Sequence, residues 1–294
     1  MKIAILSRGR TLYSTARLAE VGRRRNHDMR VINPHQCAIS IFPNDTDSAL
    51  STDRNGLTLD DFDCVIPRIG GGSTSWGLTL LRQIELQGIP VLNSAFGTMV
   101  AADKVHSLQQ LAAAGVRTPL CVQSKEPEDV ADLIRRVGGP PAILKLLKGT
   151  QGVGVIKVDT IESAVSTLEA LWSLREDVLI QEFIANDKCV DQRIFVVDGK
   201  VVAAMERRAR EGEFRANVHR GGSTRKITVD DATRELALAA AATLDLRVAG
   251  VDILPSPRGP LVIEVNASPG FEGIEAATGR DIARDIIQCA ERMA

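Results

Sequence analysis

Cysteine is sparse and unpatterned in this 294-residue chain: Cys37, Cys64, Cys121, Cys189 and Cys289 are scattered, odd in number and never in a C-x-x-C spacing. That excludes a disulfide framework and a thiolate zinc centre, and it points to reduced thiols in a cytoplasmic setting. Long apolar runs are missing as well. No window approaches the ~18 uninterrupted apolar residues of a membrane span, and in the opening MKIAILSRGR charges return too soon for the apolar core of a secretory signal. Neither sign of charge dominates. The net charge of −1 argues against a globally basic nucleic-acid binder while leaving local patches open. No glycine fingerprint follows the first apolar run and no G-K-[ST] occurs, so dinucleotide and P-loop folds are poor candidates. No Ser-His-Asp or Cys-His pattern offers a covalent intermediate, and no internal repeat or low-complexity tract is present.

What is present suits a packed α/β enzyme. Hydrophobic residues make up 44% and charged residues 25%, ordinary values for a globular protein. The length allows two domains or a three-part enzyme at roughly 100–200 residues per domain. KIAILS reads as a strand, LYSTARLAEVGRRR as a helix and MRVIN as a second strand, which is a βαβ unit. DCVIPRIG and IPVLNS read as further strands around the helix TLLRQIELQG, so residues 1–97 are expected to form a small α/β domain with a mainly parallel sheet. Within it, GGGST at 70–74 is either a flexible turn or an anion site at a helix start.

From residue 98 the pattern changes. DKVHSLQQLAAAG, closed by Gly115, PEDVADLIRRVGG, with Pro127 near its start, and ESAVSTLEALWS are helical. Between them lie the strands AILKLL and GVIKV, giving a second segment at 98–183. A third, 184–294, holds a hairpin turning at Asp198 and Gly199, a basic loop, the helix RELALAAAATLDL, the strands GVDILP and PLVIEVN, and a last helix near 279–293.

Two stretches carry chemistry. LVIEVNASPG places Glu264 and Asn266 two positions apart, on one face of a strand. An exposed edge strand would explain that, but Asp252 in the preceding strand and the short link PSPRGP bring a third oxygen ligand alongside. Two carboxylates and an amide suit a hard cation such as Mg²⁺, which is commonly shared with substrate phosphates. In KLLKGTQGVGV, Gly149, Gly152 and Gly154 join two strands behind Lys145. By itself this is an ordinary glycine turn or a loop whose backbone amides approach phosphates. Together the two stretches describe a nucleoside triphosphate site.

With IPRIG, LRQIELQG, DKVHSLQQLAAAGV, KLLKGTQGVGV, LIQEFI, ERRAREGEFRANVHRGG, AGVDIL and VIEVNASPGFEGIE in order, the chain resembles the ATP-grasp superfamily, and within it the RimK family of ATP-dependent glutamate ligases acting on a small-subunit ribosomal protein. The resemblance spans nearly the whole chain. It implies an α/β ATP-grasp fold behind an N-terminal parallel α/β, pre-ATP-grasp domain. It also implies ATP and Mg²⁺ (or Mn²⁺) as cofactors, L-glutamate and ATP as substrates, the ribosomal protein as acceptor, and a homo-oligomer, commonly a tetramer. Carried over by residue, it implies that Lys104 and Lys145 contact the ATP phosphates under the Gly149, Gly152 and Gly154 loop. Gln181, Glu182, Phe183 and Ile184 would cradle adenine, and Asp191 would contact ribose or nucleotide. Arg215 and Asn217 would reach the phosphates and the reacting acyl group, and Asp252, Glu264 and Asn266 would hold the metal.

The basic loop 206–226 carries Arg207, Arg208, Arg210, Arg215, Arg220, Arg225 and Lys226. A solvated face or a nucleic-acid patch is its generic reading. Aromatic interleaving is absent apart from Phe214, and guanidinium groups suit carboxylates and acyl phosphates, so neither direct nucleic-acid nor membrane binding is expected. His219 is either structural or a base for the incoming amine. The rivals are a sister ATP-grasp ligase, acting on an amino-group carrier protein or as a γ-glutamyl ligase on a small molecule or cofactor, and a non-catalytic ATP-dependent regulator.

Overall fold

The computed structural model describes residues 1–41, 50–52, 57–58, 61–70, 74–125, 129–148, 154–185, 189–210, 213 and 222–293. The first segment contains β1 (Lys2–Leu6), α1 (Tyr13–Arg24), β2 (Asp28–Ile32), β3 (Cys37–Ile39), β4 (Leu50–Thr52), β5 (Leu57–Thr58), β6 (Cys64–Pro67) and α2 (Thr74–Leu86). Its main sheet is parallel, in the order β2-β1-β6, as the βαβ reading expects. A small antiparallel β3-β4-β5 sheet was not anticipated.

The expected boundary at 97/98 falls inside α3 (Ala95–Ala102), and the second segment continues with α4 (Lys104–Ala113), β7 (Cys121–Gln123), α5 (Val130–Arg136), β8 (Ala142–Leu146), β9 (Val155–Val158), α6 (Ile161–Ser173) and β10 (Val178–Glu182). Local chemistry sets its boundaries. Asp103 accepts from the backbone N–H of Val105 and His106 to start α4, and Gly115 follows it at φ +73°. Thr160 and Ser163 form a reciprocal capping box on α6. The antiparallel sheet β7-β10-β8-β9 buries Leu144, Val158 and Ile180 against Leu133 and Ile134 of α5 and Leu168 of α6.

The third segment contains β11 (Val190–Val197), β12 (Lys200–Arg208), β13 (Ser223–Lys226), α7 (Asp231–Thr243), β14 (Val248–Leu254), β15 (Leu261–Asn266), α8 (Glu272–Thr278) and α9 (Ile282–Glu291). Its antiparallel sheet runs β13-β12-β11-β14-β15. The β11–β12 hairpin turns at Asp198 and Gly199 with φ of +50° and +68°, the left-handed pair that matches strand twist in a tight hairpin.

One face of this sheet shares a core with the first segment, where Phe195 and Phe271 pack with Ile3, Leu18, Ile66 and Ile286. The other face packs on α7 together with α3 and α4, which bury Val100 and Leu111 there. The expected strand IPVLNS is reduced to single bridges, Val65 to Val91 and Asn93 to Leu246. Asn93 accounts for the difference. Its side chain donates to the Val248 and Ala267 carbonyls and accepts from Val248 N–H, so the chain is tied into the last segment instead of extending the parallel sheet.

Candidate active site

Strand register assembles the polar centre. Arg193, Asp252 and Glu264 lie directly opposite one another across β11, β14 and β15, and Asn266 faces Gly250 in the same hairpin. The short link at 255–260 therefore does place Asp252 and Glu264 side by side. Asp252 is 4% exposed and accepts from Arg193 through both carboxylate oxygens, and Arg207 Nη2 lies 3.1 Å from its Oδ1. Burial alone would raise its pKa, but the two guanidiniums outweigh this and hold it below the usual carboxylate range. Glu264 is exposed.

A second sheet brings the lysines to this centre. Lys145, on β8, keeps partial solvent access, yet the protein packed about its ammonium lowers its pKa by desolvation. Glu264, Cys121 and Asp252 pull it back up, and Lys104 depresses it further. Lys104 starts α4 and donates to the Leu147 carbonyl at 3.2 Å, at the end of the same strand. Two lysines on one side thus face two carboxylates on the other. Gly154 closes the β8–β9 hairpin by accepting from Leu146 N–H, at φ +78° and where a Cβ would come within 2.8 Å of Leu146 Cβ.

The end of β10 and the residues just after it are tied to the surrounding protein. Gln181 is buried and donates to Cys121 Sγ at 3.5 Å. Phe183 lies under Lys157, 5.1 Å from its ring centroid, and Ile184 is half-buried. Glu182 turns its carboxylate to Arg258 at 2.6 Å and to Leu120 N–H at 3.1 Å. It is a clasp between this segment and the β14–β15 connection. Asp191 is 6% exposed and ion-paired to Arg207 at 2.5 Å, directly opposite on β12. Arg215 and Asn217, with Phe214, His219 and Arg220, lie outside the described residues, as do Gly149, Gly152 and the middle of the 70–74 stretch.

Arg193 is the site residue that the sequence does not disclose. Its signal is its position two residues after Asp191, which puts both on one face of β11.

The donor set suits a hard cation. Among the described residues no three His, Cys, Asp or Glu side chains cluster, so the set is two carboxylates and an amide. Asn266 Nδ2 donates to the Gly250 carbonyl at 3.3 Å, which leaves its Oδ1 to accept. Asp252 Oδ2 receives one N–H, from Arg193, and a carboxylate oxygen has a second lone pair to give.

Known proteins match the chain along its length. The family model described as a RimK PreATP-grasp domain covers residues 1–97, and that described as a RimK-like ATP-grasp domain covers 101–290. A "Probable alpha-L-glutamate ligase" of Serratia proteamaculans is 47% identical over 292 residues, 99% of this chain and 96% of the relative. A "Ribosomal protein bS6--L-glutamate ligase" of Salmonella paratyphi B is 48% identical over 294 residues, 100% of this chain and 97% of the relative. The structure of ATP-grasp ligase PsnB complexed with a phosphomimetic variant of its minimal precursor, Mg and ADP superposes with a TM-score of 0.78 at 21% identity, covering 99% of this chain and 98% of that one.

Proposed function

From the premise that this chain belongs to the RimK family of ATP-grasp ligases, we propose that it adds L-glutamate residues to the C-terminus of a small-subunit ribosomal protein. The reading rests above all on the 48% identity, across its whole length, to a relative named for that reaction. Membership makes the protein an ATP-dependent, amide-forming enzyme. The acceptor, the metal and the residue roles are the proposal.

The two faces of the site suit the chemistry. A substrate carboxylate must approach the ATP γ-phosphate against repulsion between anions, so positive charge and positioning dominate such a step. Lys104 and Lys145 supply that charge from one face, and Gly149, Gly152 and Gly154 are the proposed phosphate loop. Asp252, Glu264 and Asn266 would hold Mg²⁺ or Mn²⁺ on the other, where the ion would neutralise phosphate charge. Gln181 to Ile184 line the adenine side. Asp191 acts at one remove, by holding Arg207 against Asp252. Attack of the glutamate amine on an acyl phosphate creates an oxyanion, for which Arg215 and Asn217 are the proposed partners before phosphate leaves. The functional units are taken as 1–97, 98–183 and 184–294, in a cytoplasmic homo-oligomer, with a tetramer as the state to test by light scattering. No helix among the described residues is long and apolar enough to cross a membrane.

Intact-mass spectrometry of the ribosomal acceptor, after incubation with enzyme, ATP, Mg²⁺ and glutamate, tests the reading. A ladder of glutamyl increments is expected, and none with Glu264→Gln, whose folded spectrum should be unchanged. Glutamate-driven ADP release without any increment would remove the acceptor but keep the ligase. Near-normal turnover of Glu264→Gln would remove the metal assignment.

A further inference from the structure

Arg68 lies where the first and last segments meet, one residue past β6. Its backbone N–H donates to Leu6 at the end of β1, so it stands at the carboxyl edge of the parallel sheet, the edge where open α/β sheets bind ligands. Its Nη2 donates to the Pro269 carbonyl at 2.8 Å, and its guanidinium sits 5.8 Å from the Phe271 ring centroid. Ser268 Oγ donates to the Pro67 carbonyl at 3.3 Å beside it. Pro269 is three residues past Asn266, and a Cβ on Gly250 would lie 2.7 Å from Pro269 Cβ and 3.4 Å from Arg193 Nη1. Pro269 therefore stands between Arg68 and the backbone of Gly250, next to which Arg193 lies.

The pairing of Arg68 is out of step with that of the other enclosed arginines. Arg193 and Arg207 bind Asp252, and Arg17 binds Glu275 and Asp281. Arg68 has no carboxylate partner among the described residues, and its enclosed Nε has no acceptor. The cavity beneath it is lined by Leu18, Ile66, Leu92, Val248 and Ile286 and by Asn93, whose Oδ1 already accepts from Val248 N–H, so it offers no carboxylate. Desolvation lowers its pKa to about 10 with no anion to offset it, so it remains a cation at neutral pH. A desolvated charge without a counter-charge is costly. The residue as a whole keeps partial solvent access.

We infer that Arg68 is a substrate-binding residue whose guanidinium receives a non-reacting carboxylate of the incoming amino acid. The inference rests on the glutamate-ligase reading and adds a recognition element from the N-terminal segment. A carboxylate supplies the missing charge and matches the guanidinium fork. Seated there, beside Pro269, the amino acid is held next to β14, the strand of Asp252, while the lysines hold the nucleotide across the cleft.

Initial rates of ADP release by wild type, Arg68→Lys and Arg68→Met, with glutamate, ATP and acceptor varied in turn, test it. Arg68→Met should raise the KM for glutamate at least tenfold, with the KM values for ATP and acceptor within threefold of wild type. Arg68→Lys should fall between, and added methylguanidinium should restore part of the loss in Arg68→Met. An unchanged glutamate KM would overturn the inference. So would a selective rise in the acceptor KM, which would give the carboxylate to the acceptor, or an equal change in all three constants with a lowered Tm, which would make Arg68 structural. Wild-type enzyme that releases no ADP in response to glutamate would overturn the glutamate reading itself, and the inference with it.

Discussion

Lys145 shows how a single residue is tuned here. Desolvation works against its charge and the facing Glu264 restores part of it, so the ammonium is poised for an anion in a partly dry cleft. Charge-assisted hydrogen bonds contribute about 1.5–3 kcal/mol, so Lys145→Met should raise the KM for ATP about 10–100-fold. Initial rates across an ATP series check this, and an unchanged ATP dependence would return the lysine to a structural role. Lys145, Asp252 and Glu264 were legible as residues because their types and spacing stand out against apolar strands. Their partners were not. Arg193 opposite Asp252 and Arg207 opposite Asp191 are cross-strand neighbours, and such pairing depends on register that one sequence does not state. The Arg207 partner of Asp191, which makes its burial tolerable, was not legible for the same reason.

At the level of elements, the last helix clamps the first. Arg25 donates to Glu291 through Nε and Nη2, both at 2.8 Å, and His27 Nε2 lies 2.6 Å from Glu291 Oε1. Bonding to Arg25, against a desolvation effect, and then to His27 lowers the Glu291 pKa to about 2 from 4.5. A depressed folded-state pKa stabilises the protein above the unfolded value, and that contribution fades as pH falls from 4.5 towards 2. Glu291→Gln should therefore lower the Tm at pH 6–7, and its difference from wild type should shrink through that window; melting curves down the pH series check it. A constant difference would place the effect in packing instead. Amphipathic α1, α6 and α9 were readable from apolar spacing, whereas α3 was not. AFGTMVAA is apolar nearly throughout, so it carries no face, and its course is set by Asn93 on one side and by Gly97, whose added Cβ would come within 2.6 Å of the Leu244 carbonyl, on the other.

Across the whole molecule, the cores are unequal in connection. The first and last segments share one, while the β7-β10-β8-β9 sheet with α5 and α6 has its own. The described contacts that tie it to the rest include Arg258 to Glu182 and Lys104 to Leu147, and exposed ion pairs contribute only about 0–1 kcal/mol each. Calorimetry without nucleotide should then show two transitions, with the central sheet melting first. Nucleotide held between Lys145 on that sheet and the carboxylate row on the other binds only when both are folded. At 100 times its Kd it adds about 2.7 kcal/mol, and it should act mostly on the weaker unit. MgATP should thus draw the two transitions together, whereas Lys145→Met at the same concentration should leave them apart. A single transition in both states, with equal calorimetric and van't Hoff enthalpies, would mean that the central sheet is no separate unit, and that the clasp at Glu182 couples the lobes before nucleotide arrives.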